Sequence, residues 1–283
     1  MVIDLPRMIY LNTIFDKQLR LIETLNEDEE VCLSFRSVDF ILPESTILLI
    51  ALSKQINNKT KTVVKWIDIK NELITYLERI QIDKLNFIQI PKTIFFKKNK
   101  KSNSLVEMRI MSNPNQFDEI ISETKKIMYD WFPGRYGDEY VKQISGYIRD
   151  IAANSLEHSE KDGNGICYYT LQKYDSVKEK TTIHVAFGDT GMGIDNSLIQ
   201  KYQWIVQRKK RPIVCAFIDG LSCRGNDNGG LGFRMVKQQL KKYGGEIQIR
   251  SGKEMIRYFG SGKYKVTDFN HSIIGTQTLF ILK

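Results

Sequence analysis

The sequence predicts two successive units, a small α/β unit and then a larger α+β unit, and three observations lead to this prediction. Over roughly the first hundred residues, short apolar runs alternate with helical patterns, which is typical of parallel strands joined by helices. A lysine-rich run at 97–101, followed by Ser-Asn-Ser, interrupts that alternation, as a linker would. Beyond it, two helical patterns precede most of the extended segments, which favours helices on one face of a mixed, largely antiparallel sheet. We therefore expect an α/β domain at 1–95, a basic linker at 96–112 and a second domain at 113–283.

The elements of the first unit follow from apolar patterns and from prolines. Segments rich in apolar and β-branched residues predict strands, and Pro43 and Pro91 end two of them. Apolar residues at helical spacing predict helices that pack on the sheet. The expected strands cover 31–35, 38–42, 61–67 and 85–90, and the expected helices cover 44–56 and 71–80.

The second unit is expected to begin with two helices. Asn113 followed by Pro114 is typical of a helix start, because Asn caps the first turn and proline fits within it. Pro133 and Gly134 then end this helix. The expected helices cover 113–131, 138–158 and 231–243, and the expected strands cover 166–173, 182–187, 246–250, 255–258 and 271–282.

Composition excludes several classes of protein. The chain has 283 residues, of which 42% are hydrophobic and 27% charged, as in a globular protein with a sizeable core. No segment reaches the roughly 20 apolar residues of a membrane helix, and the N-terminal residues lack the pattern of a signal peptide. The four cysteines form no C-x-x-C pair, so neither a disulfide framework nor a zinc site is indicated. We expect a cytoplasmic protein with no membrane partner.

The charge balance favours an anionic partner. Lys and Arg number 42 against 33 Asp and Glu, which gives a net charge of +9. Nucleic acid, an acidic protein surface or a nucleoside triphosphate would each suit this charge. Basic residues cluster at 97–101 and at 208–211, although an exposed loop would account equally well for either cluster.

The predicted helix 138–158 carries a polar stripe beside its apolar face, which includes Ser155. Asp150, Asn154 and His158 are spaced four apart, so they lie one above another along the helix. An Asn with a carboxylate one turn before it can hold a hard cation through oxygen atoms and orient a water. An ordinary exposed helix face would show the same spacing, so the helix alone leaves both interpretations open.

A glycine-rich segment follows the predicted strand that ends at Asp189. Gly191 and Gly193 come directly after it, and glycines there let the backbone approach a flat ligand or a phosphate. The Asp189 carboxylate can accept a hydrogen bond from an exocyclic amine, although a simple turn would give the same pattern.

A second glycine-rich segment opens the predicted helix 231–243. It contains Gly229, Gly230 and Gly232, and the free N–H groups of a helix N-terminus suit a phosphate. Neither a P-loop nor a complete G-x-G-x-x-G is present, so a phosphate site here requires a different fold.

Together these segments resemble the ATP-binding domain shared by gyrase, Hsp90, histidine kinases and MutL, the GHKL superfamily with its Bergerat fold. The resemblance covers about 131–283, is nearest to bacterial anti-sigma-factor serine kinases, and implies a two-layer α/β sandwich. Five motifs match in the expected order. They are 149–158 for the N box, 188–194 and 229–232 for the two glycine boxes, 243–252 for the turn that follows, and 275–280 for the closing strand.

The resemblance implies ATP and Mg²⁺ as ligands. Asn154 would coordinate the Mg²⁺ that bridges the phosphates. Asp189 would accept the adenine amine, and Thr276 would complete that network through its hydroxyl and a water. Gly191 and Gly193 would let the adenine lie against the backbone.

Further residues are implied at the phosphate end of the nucleotide. A lid over about 195–228 would lie opposite the phosphates, and its basic cluster at 208–211 could help to neutralise them, unless it is only a solvated loop. His158 stands where anti-sigma-factor kinases also tend to have His, although a packed or capping His fits the position equally. The glycines expected beside the phosphates are Gly229, Gly230 and Gly232.

One position departs from the family pattern. The general base is usually a Glu four residues before the Asn, and here that position is Asp150, whose side chain is one methylene shorter. The sequence therefore supports binding better than turnover. Slow ATP hydrolysis and phosphoryl transfer to a Ser or Thr of a partner both remain open.

The first unit more loosely resembles a STAS domain of the anti-sigma-antagonist kind. The phosphorylatable serine of that module usually stands in an Asp-Ser-x-Gly context, whereas Ser45 follows Pro43 and Glu44 with no adjacent glycine. The resemblance implies docking of a regulatory protein partner, and the context does not support phosphorylation of Ser45.

The favoured hypothesis is thus a Mg²⁺-dependent ATP-binding switch that controls a protein partner or a second copy of itself. The alternative is a nucleic-acid-associated scaffold that uses the net charge of +9 and has lost nucleotide binding. Ionic strength discriminates between them, because only nucleic-acid binding falls steeply with salt.

Overall fold

The chain contains two sheets, one parallel and one antiparallel, with helices around both. The structure is a computed structural model and describes residues 1–92, 105–113, 115–131, 137–159, 166–174, 182–223 and 230–283. The expectation of a mixed α/β chain is confirmed. No helix in these described ranges has the length and apolar character needed to cross a membrane.

The first sheet has four strands in the order β1-β2-β3-β4, and every pairing in it is parallel, as predicted. Its strands are β1 Val2–Asp4, β2 Cys32–Ser34, β3 Val64–Ile67 and β4 Ile88–Gln89. Its helices are α1 Asp16–Glu23, α2 Pro43–Thr60 and α3 Asn71–Arg79. The strand expected at 38–42 is wrong, because only Phe40 makes a bridge there, to Met8.

The second sheet has five strands in the order β5-β6-β7-β9-β8. Its strands are β5 Leu105–Met111, β6 Cys167–Tyr174, β7 Thr182–Asp189, β8 Glu246–Phe259 and β9 Tyr264–Leu282. Every described pairing is antiparallel, so the sheet is not mixed. The expected linker extended to residue 112, but β5 within it pairs with β6. The basic cluster at 97–101 lies outside the described residues.

Three long helices cover the front face of the second sheet, as expected. They are α4 Asn115–Trp131, α5 Asp138–Ser159 and α9 Leu231–Tyr243. Between β7 and α9 the chain forms three shorter helices, α6 Gly193–Lys201, α7 Trp204–Gln207 and α8 Pro212–Phe217. The expected lid is therefore largely helical up to residue 217.

The back face of the second sheet is covered by the first unit. Helix α2 contacts β6, β7 and β9, and every residue from Pro43 to Ser53 is buried. Neighbouring strand residues are consequently buried on opposite faces: Tyr168 and Ala186 belong to the core shared with the first unit, whereas Tyr169 and Phe187 belong to the core under α4 and α5. The second sheet therefore lies between α4, α5 and α9 on one face and the first unit on the other.

This arrangement decides whether Ser45 is accessible for phosphorylation. Ser45 is fully buried; its hydroxyl donates to the Ile9 carbonyl and accepts from the Leu42 N–H at 3.0 Å. A kinase has no access to it in this fold. Helix α2 packs on the chain's own second sheet, and docking of a protein partner by the first unit stays a prediction.

Candidate functional site

A cavity of about 480 Å³ lies on the front side of the second sheet, between α5, α9 and the end of β7. Residues from α6, α8 and β9 complete its walls. Three chain segments that are far apart in sequence therefore meet around one space. The predicted site residues that line it are Asp150, Asn154, Asp189, Gly193, Gly230, Gly232 and Thr276.

Helix α5 supplies one wall through a stripe of side chains at intervals of three and four residues. Tyr147, Asp150, Asn154 and Glu157 all line the cavity, because residues at this spacing share one face of a helix. The Asp150 side chain is 58% exposed, and one of its oxygens lies 3.9 Å from the Arg149 guanidinium. This carboxylate is thus at the mouth of the cavity, in contact with water.

Asp189 ends β7 as a buried carboxylate, only 2% exposed. Its Oδ1 atom accepts hydrogen bonds from the backbone N–H groups of Gly191 at 2.9 Å and Thr276 at 3.3 Å, and Ser155 adds a side-chain hydrogen bond. Burial raises the pKa of Asp189 to about 7, although these hydrogen bonds act in the opposite direction. No Lys, Arg or His among the described residues forms an ion pair with it. A buried carboxylate with several donors and no cation is suited to an uncharged ligand that donates a hydrogen bond.

Backbone from β9 lies directly against Asp189, and a glycine makes this possible. Gly275 has φ +74°, and a Cβ atom there would lie 2.0 Å from the Asp189 carbonyl oxygen. Its N–H donates to the Gly191 carbonyl at 2.8 Å. Gly191 does not itself line the cavity; it holds the Asp189 carboxylate and the β9 backbone in place.

The opposite end of the cavity is formed by the N-terminus of α9. Gly230 precedes the helix with φ +77°, and a Cβ there would lie 2.1 Å from the Gly220 carbonyl oxygen. Among the described residues, no side chain caps the helix, and its first turn contains no acidic residue. Within the described part of the chain, a Cβ on Gly232 would meet only Ile151, at 3.8 Å, so this residue leaves space beside the helix end. Gly229 lies outside the described residues.

Three further residues at the site were not predicted from the sequence. Ser155 was expected in the apolar stripe, but it lines the cavity and bonds to Asp189. Glu157 adds a second carboxylate to the α5 wall. Ser251 accepts a hydrogen bond from the Ile194 N–H at 2.8 Å and lies 3.4 Å from the Thr276 hydroxyl. Single Ser and Glu residues carry no pattern that would have identified them; only the five-motif order pointed to this neighbourhood.

The basic cluster at 208–211 and His158 were both expected near the phosphates. The basic cluster at 208–211 does not line the cavity: the Arg208 guanidinium lies over the Trp204 ring at 5.6 Å, and Arg211 pairs with Asp268 at 2.6 Å. His158 belongs to α5, but its side chain lies outside the part of the chain that the structure describes.

The described part of the cavity wall offers side-chain oxygen atoms that could contribute to metal binding, but not a complete set of protein ligands. Within the described residues, no group of three or more His, Cys, Asp or Glu is arranged to hold a metal ion. Asn154, with Asp150 one turn before it and Glu157 one turn after it, offers oxygen donors along one cavity wall. Mg²⁺ characteristically uses one or two such protein ligands together with water and substrate phosphates.

The sequence was compared with known proteins. No protein-family model matches it, and neither does any curated protein.

Proposed function

We propose that the chain binds ATP with Mg²⁺ in the cavity between α5, α9 and β7, in the manner of the GHKL superfamily, and acts as a switch for a protein partner. One observation carries the proposal: the N box and both described glycine segments, which are separate in sequence, line the same cavity. The second sheet, with five antiparallel strands and three helices on its front face, agrees with a Bergerat fold. The parallel first unit, with its helices, agrees with a STAS-like domain.

The end of the cavity at β7 suits a purine with an exocyclic amine. Asp189 is buried and already receives donors on Oδ1 from Gly191 and Thr276. Its remaining acceptor positions would take the amine of adenine, with Ser155 and Thr276 orienting the carboxylate. A guanine presents a carbonyl oxygen at the position of the adenine amine, so it would meet an acceptor where it needs a donor. We therefore propose selectivity for adenine over guanine.

The opposite end suits phosphates. The N-terminus of α9, which no side chain in the described ranges caps, presents backbone N–H groups and the positive end of the helix dipole. The space beside Gly232 would admit phosphate oxygens. Asn154 would hold Mg²⁺ there, and the ion would neutralise phosphate charge when bound.

Turnover depends on a carboxylate that reaches the attacking group. Asp150 is the candidate base, and its exposure at the mouth of the cavity places it where a water or the hydroxyl of a partner can approach. Its side chain is one methylene shorter than the usual Glu, so hydrolysis is expected to be slow. A Ser or Thr hydroxyl brought by a partner protein would compete with water for the same position.

Calorimetric titration with ATP and with GTP, each with millimolar Mg²⁺, tests the proposal. We expect binding of ATP, weaker binding of GTP, and loss of ATP binding in Asp189→Asn. The matched control is Asp268→Asn, which changes an exposed carboxylate paired with Arg211 and should leave ATP affinity unchanged. Absence of ATP binding by the parent protein would refute the proposal.

The basic residues outside the cavity give the nucleic-acid alternative one supporting observation. Arg208, Lys209 and Lys210 are consecutive and exposed, and they do not line the cavity. If they bind nucleic acid, affinity for an oligonucleotide should fall steeply as salt rises and should fall again in Lys209→Glu. Binding that is absent at low salt would exclude this second role.

A further inference from the structure

A bulge in β9 lies next to the proposed adenine end of the cavity. The ladder between β8 and β9 pairs Ser251 with Thr276, but the next residue, Gly252, pairs with Ile273. Ile274 and Gly275 therefore have no partner on β8. A bulge of this kind leaves backbone N–H and C=O groups that need other partners.

Side chains supply those partners, and one of them comes from the first unit. The Ile274 N–H donates to Gln55 Oε1 at 3.1 Å, and Gln55 Nε2 donates to the Ser272 carbonyl at 3.1 Å. Gln277 Nε2 donates to the Ile274 carbonyl at 2.8 Å. The side-chain amide of Gln55 thus replaces the strand partner that the bulge has lost.

The bulge determines where two residues of the proposed site lie. Directly after Ile274, Gly275 bonds to the Gly191 carbonyl, and Thr276 donates to Asp189 at 3.3 Å. A shift of Ile274 along the strand would move both donors relative to the Asp189 carboxylate. A change in the position of Gln55 would therefore displace residues 274–276, and with them the backbone groups next to Asp189 at the purine end.

A second contact of the same helix reaches the other side of Asp189. Ile47 lies eight residues before Gln55 on α2, and its Cγ2 is 2.7 Å from where a Cβ of Gly188 would be. Gly188 immediately precedes Asp189, and a Cβ there would also lie 2.6 Å from the Thr276 carbonyl oxygen of β9, so the β9 backbone and α2 both approach this glycine closely. Helix α2 thus contacts β7, which carries Asp189, through Ile47, and β9 through Gln55.

We propose that Gln55 is a positioning residue of the nucleotide site, through which the first unit controls the affinity of that site for ATP. This inference rests on the proposed function. Gln55 touches no nucleotide; it holds the β9 bulge in the register at which Thr276 and Gly275 close around Asp189. Movement of α2 would break the hydrogen bonds between Gln55 and the bulge. It would weaken the binding of adenine and leave the binding of the phosphates unchanged.

The test uses Gln55→Met, which keeps the length of the side chain and removes both hydrogen bonds to the bulge. The control is Gln18→Met, which removes a hydrogen bond to the Asp4 carbonyl within the first unit, away from the cavity. Backbone hydrogen exchange without nucleotide is measured first. We expect the backbone amides of Gly191 and Thr276 to exchange faster in Gln55→Met than in the parent protein, and to be unchanged in Gln18→Met. Unchanged exchange at both amides in Gln55→Met would overturn the proposal.

Nucleotide affinity is measured second, with ATP and with inorganic tripolyphosphate as probes in Mg²⁺. Loss of two hydrogen bonds that act indirectly is expected to weaken ATP binding roughly threefold to tenfold and to leave tripolyphosphate binding unchanged. An equal loss for both probes would indicate general destabilisation and overturn the positioning role. If the parent protein binds no ATP, the proposed function fails, while the exchange experiment still decides whether Gln55 positions the bulge.

Discussion

Replacement of Asp189 by Asn should make the folded protein more stable while it removes nucleotide binding. Asn has nearly the same shape, and its Oδ1 can still accept from Gly191 and Thr276. The substitution removes a carboxylate that is only 2% exposed. It also replaces an acceptor by an NH₂ group at the position where we expect the adenine amine, so two donors would face each other.

The size of the effect follows from the pKa of the carboxyl group. Burial raises the pKa of Asp189 from 3.8 to about 7, which corresponds to about 4 kcal/mol between the protonated and ionised forms. Because the pKa in the folded state is the higher one, the free-energy cost of burying the ionised carboxylate is absent well below pH 3.8, where the carboxyl is protonated in both the folded and the unfolded state. The cost grows as pH rises from about 4 to about 7 and is constant above that. Between pH 5 and pH 8, the variant should gain about 2 to 3 kcal/mol relative to the parent.

Urea unfolding at pH 5 and pH 8 measures this gain, and calorimetry with Mg²⁺-ATP measures the loss of binding. Asp268→Asn serves as the control, because that side chain is 60% exposed and a surface pair contributes at most about 1 kcal/mol. The reasoning is refuted if Asp189→Asn is destabilised relative to the parent as the pH rises, or if it binds ATP with the affinity of the parent.

Three further substitutions have separate expected outcomes. Asn154→Ala should weaken ATP binding in Mg²⁺ and change it little in EDTA; equal loss in both buffers, measured by calorimetry, would argue against a metal ligand. Asp150→Ala should abolish release of phosphate from labelled ATP and spare binding, so phosphate release at the parental rate would exclude it as the base. Arg250→Ala should lower the free energy of unfolding, measured in urea, by about 3 kcal/mol. The reason is that the buried Arg250 guanidinium donates hydrogen bonds to the carbonyls of Leu11 at 2.9 Å and Thr13 at 2.7 Å. A change below about 1 kcal/mol would show that this contact does not anchor the first unit.

Local patterns predicted the elements whose signals are long and self-contained. Helix α9 has the predicted bounds, 231–243, because a glycine precedes it and two glycines follow it. The start of α5 at Asp138 also agrees. Strand β1 and helix α1 were missed because three and eight residues give little periodicity. Strand β5 was assigned to the linker because its pairing with β6 is a long-range contact.

The docking of the two units could not be predicted either. Residues 47–52 of α2 are all apolar, so this part of the helix is apolar on all sides; the pattern indicates burial but not what buries it. The interface is completed by single residues, Gln55, Arg250 and Gly188, whose partners lie far away in the sequence. Such residues form no local pattern, and their roles follow only from the coordinates.

The candidate site was predictable to a different degree at its two ends. Motif order pointed to Asp189, Asn154 and Gly232, and all three line one cavity. The basic cluster at 208–211 was considered for the phosphate end, but a run of charges carries no information about the direction in which it points. Contacts with Trp204 and Asp268 hold two of its arginines outside the cavity.

The central claim is that three separated segments enclose one purine triphosphate. Hydrogen exchange followed by mass spectrometry, with and without a non-hydrolysable ATP analogue in Mg²⁺, tests it most directly. We expect simultaneous protection of backbone amides at 150–157, 189–194 and 230–236, with GTP giving markedly less. Protection confined to one of these segments, or found only at a surface remote from all three, would contradict the account.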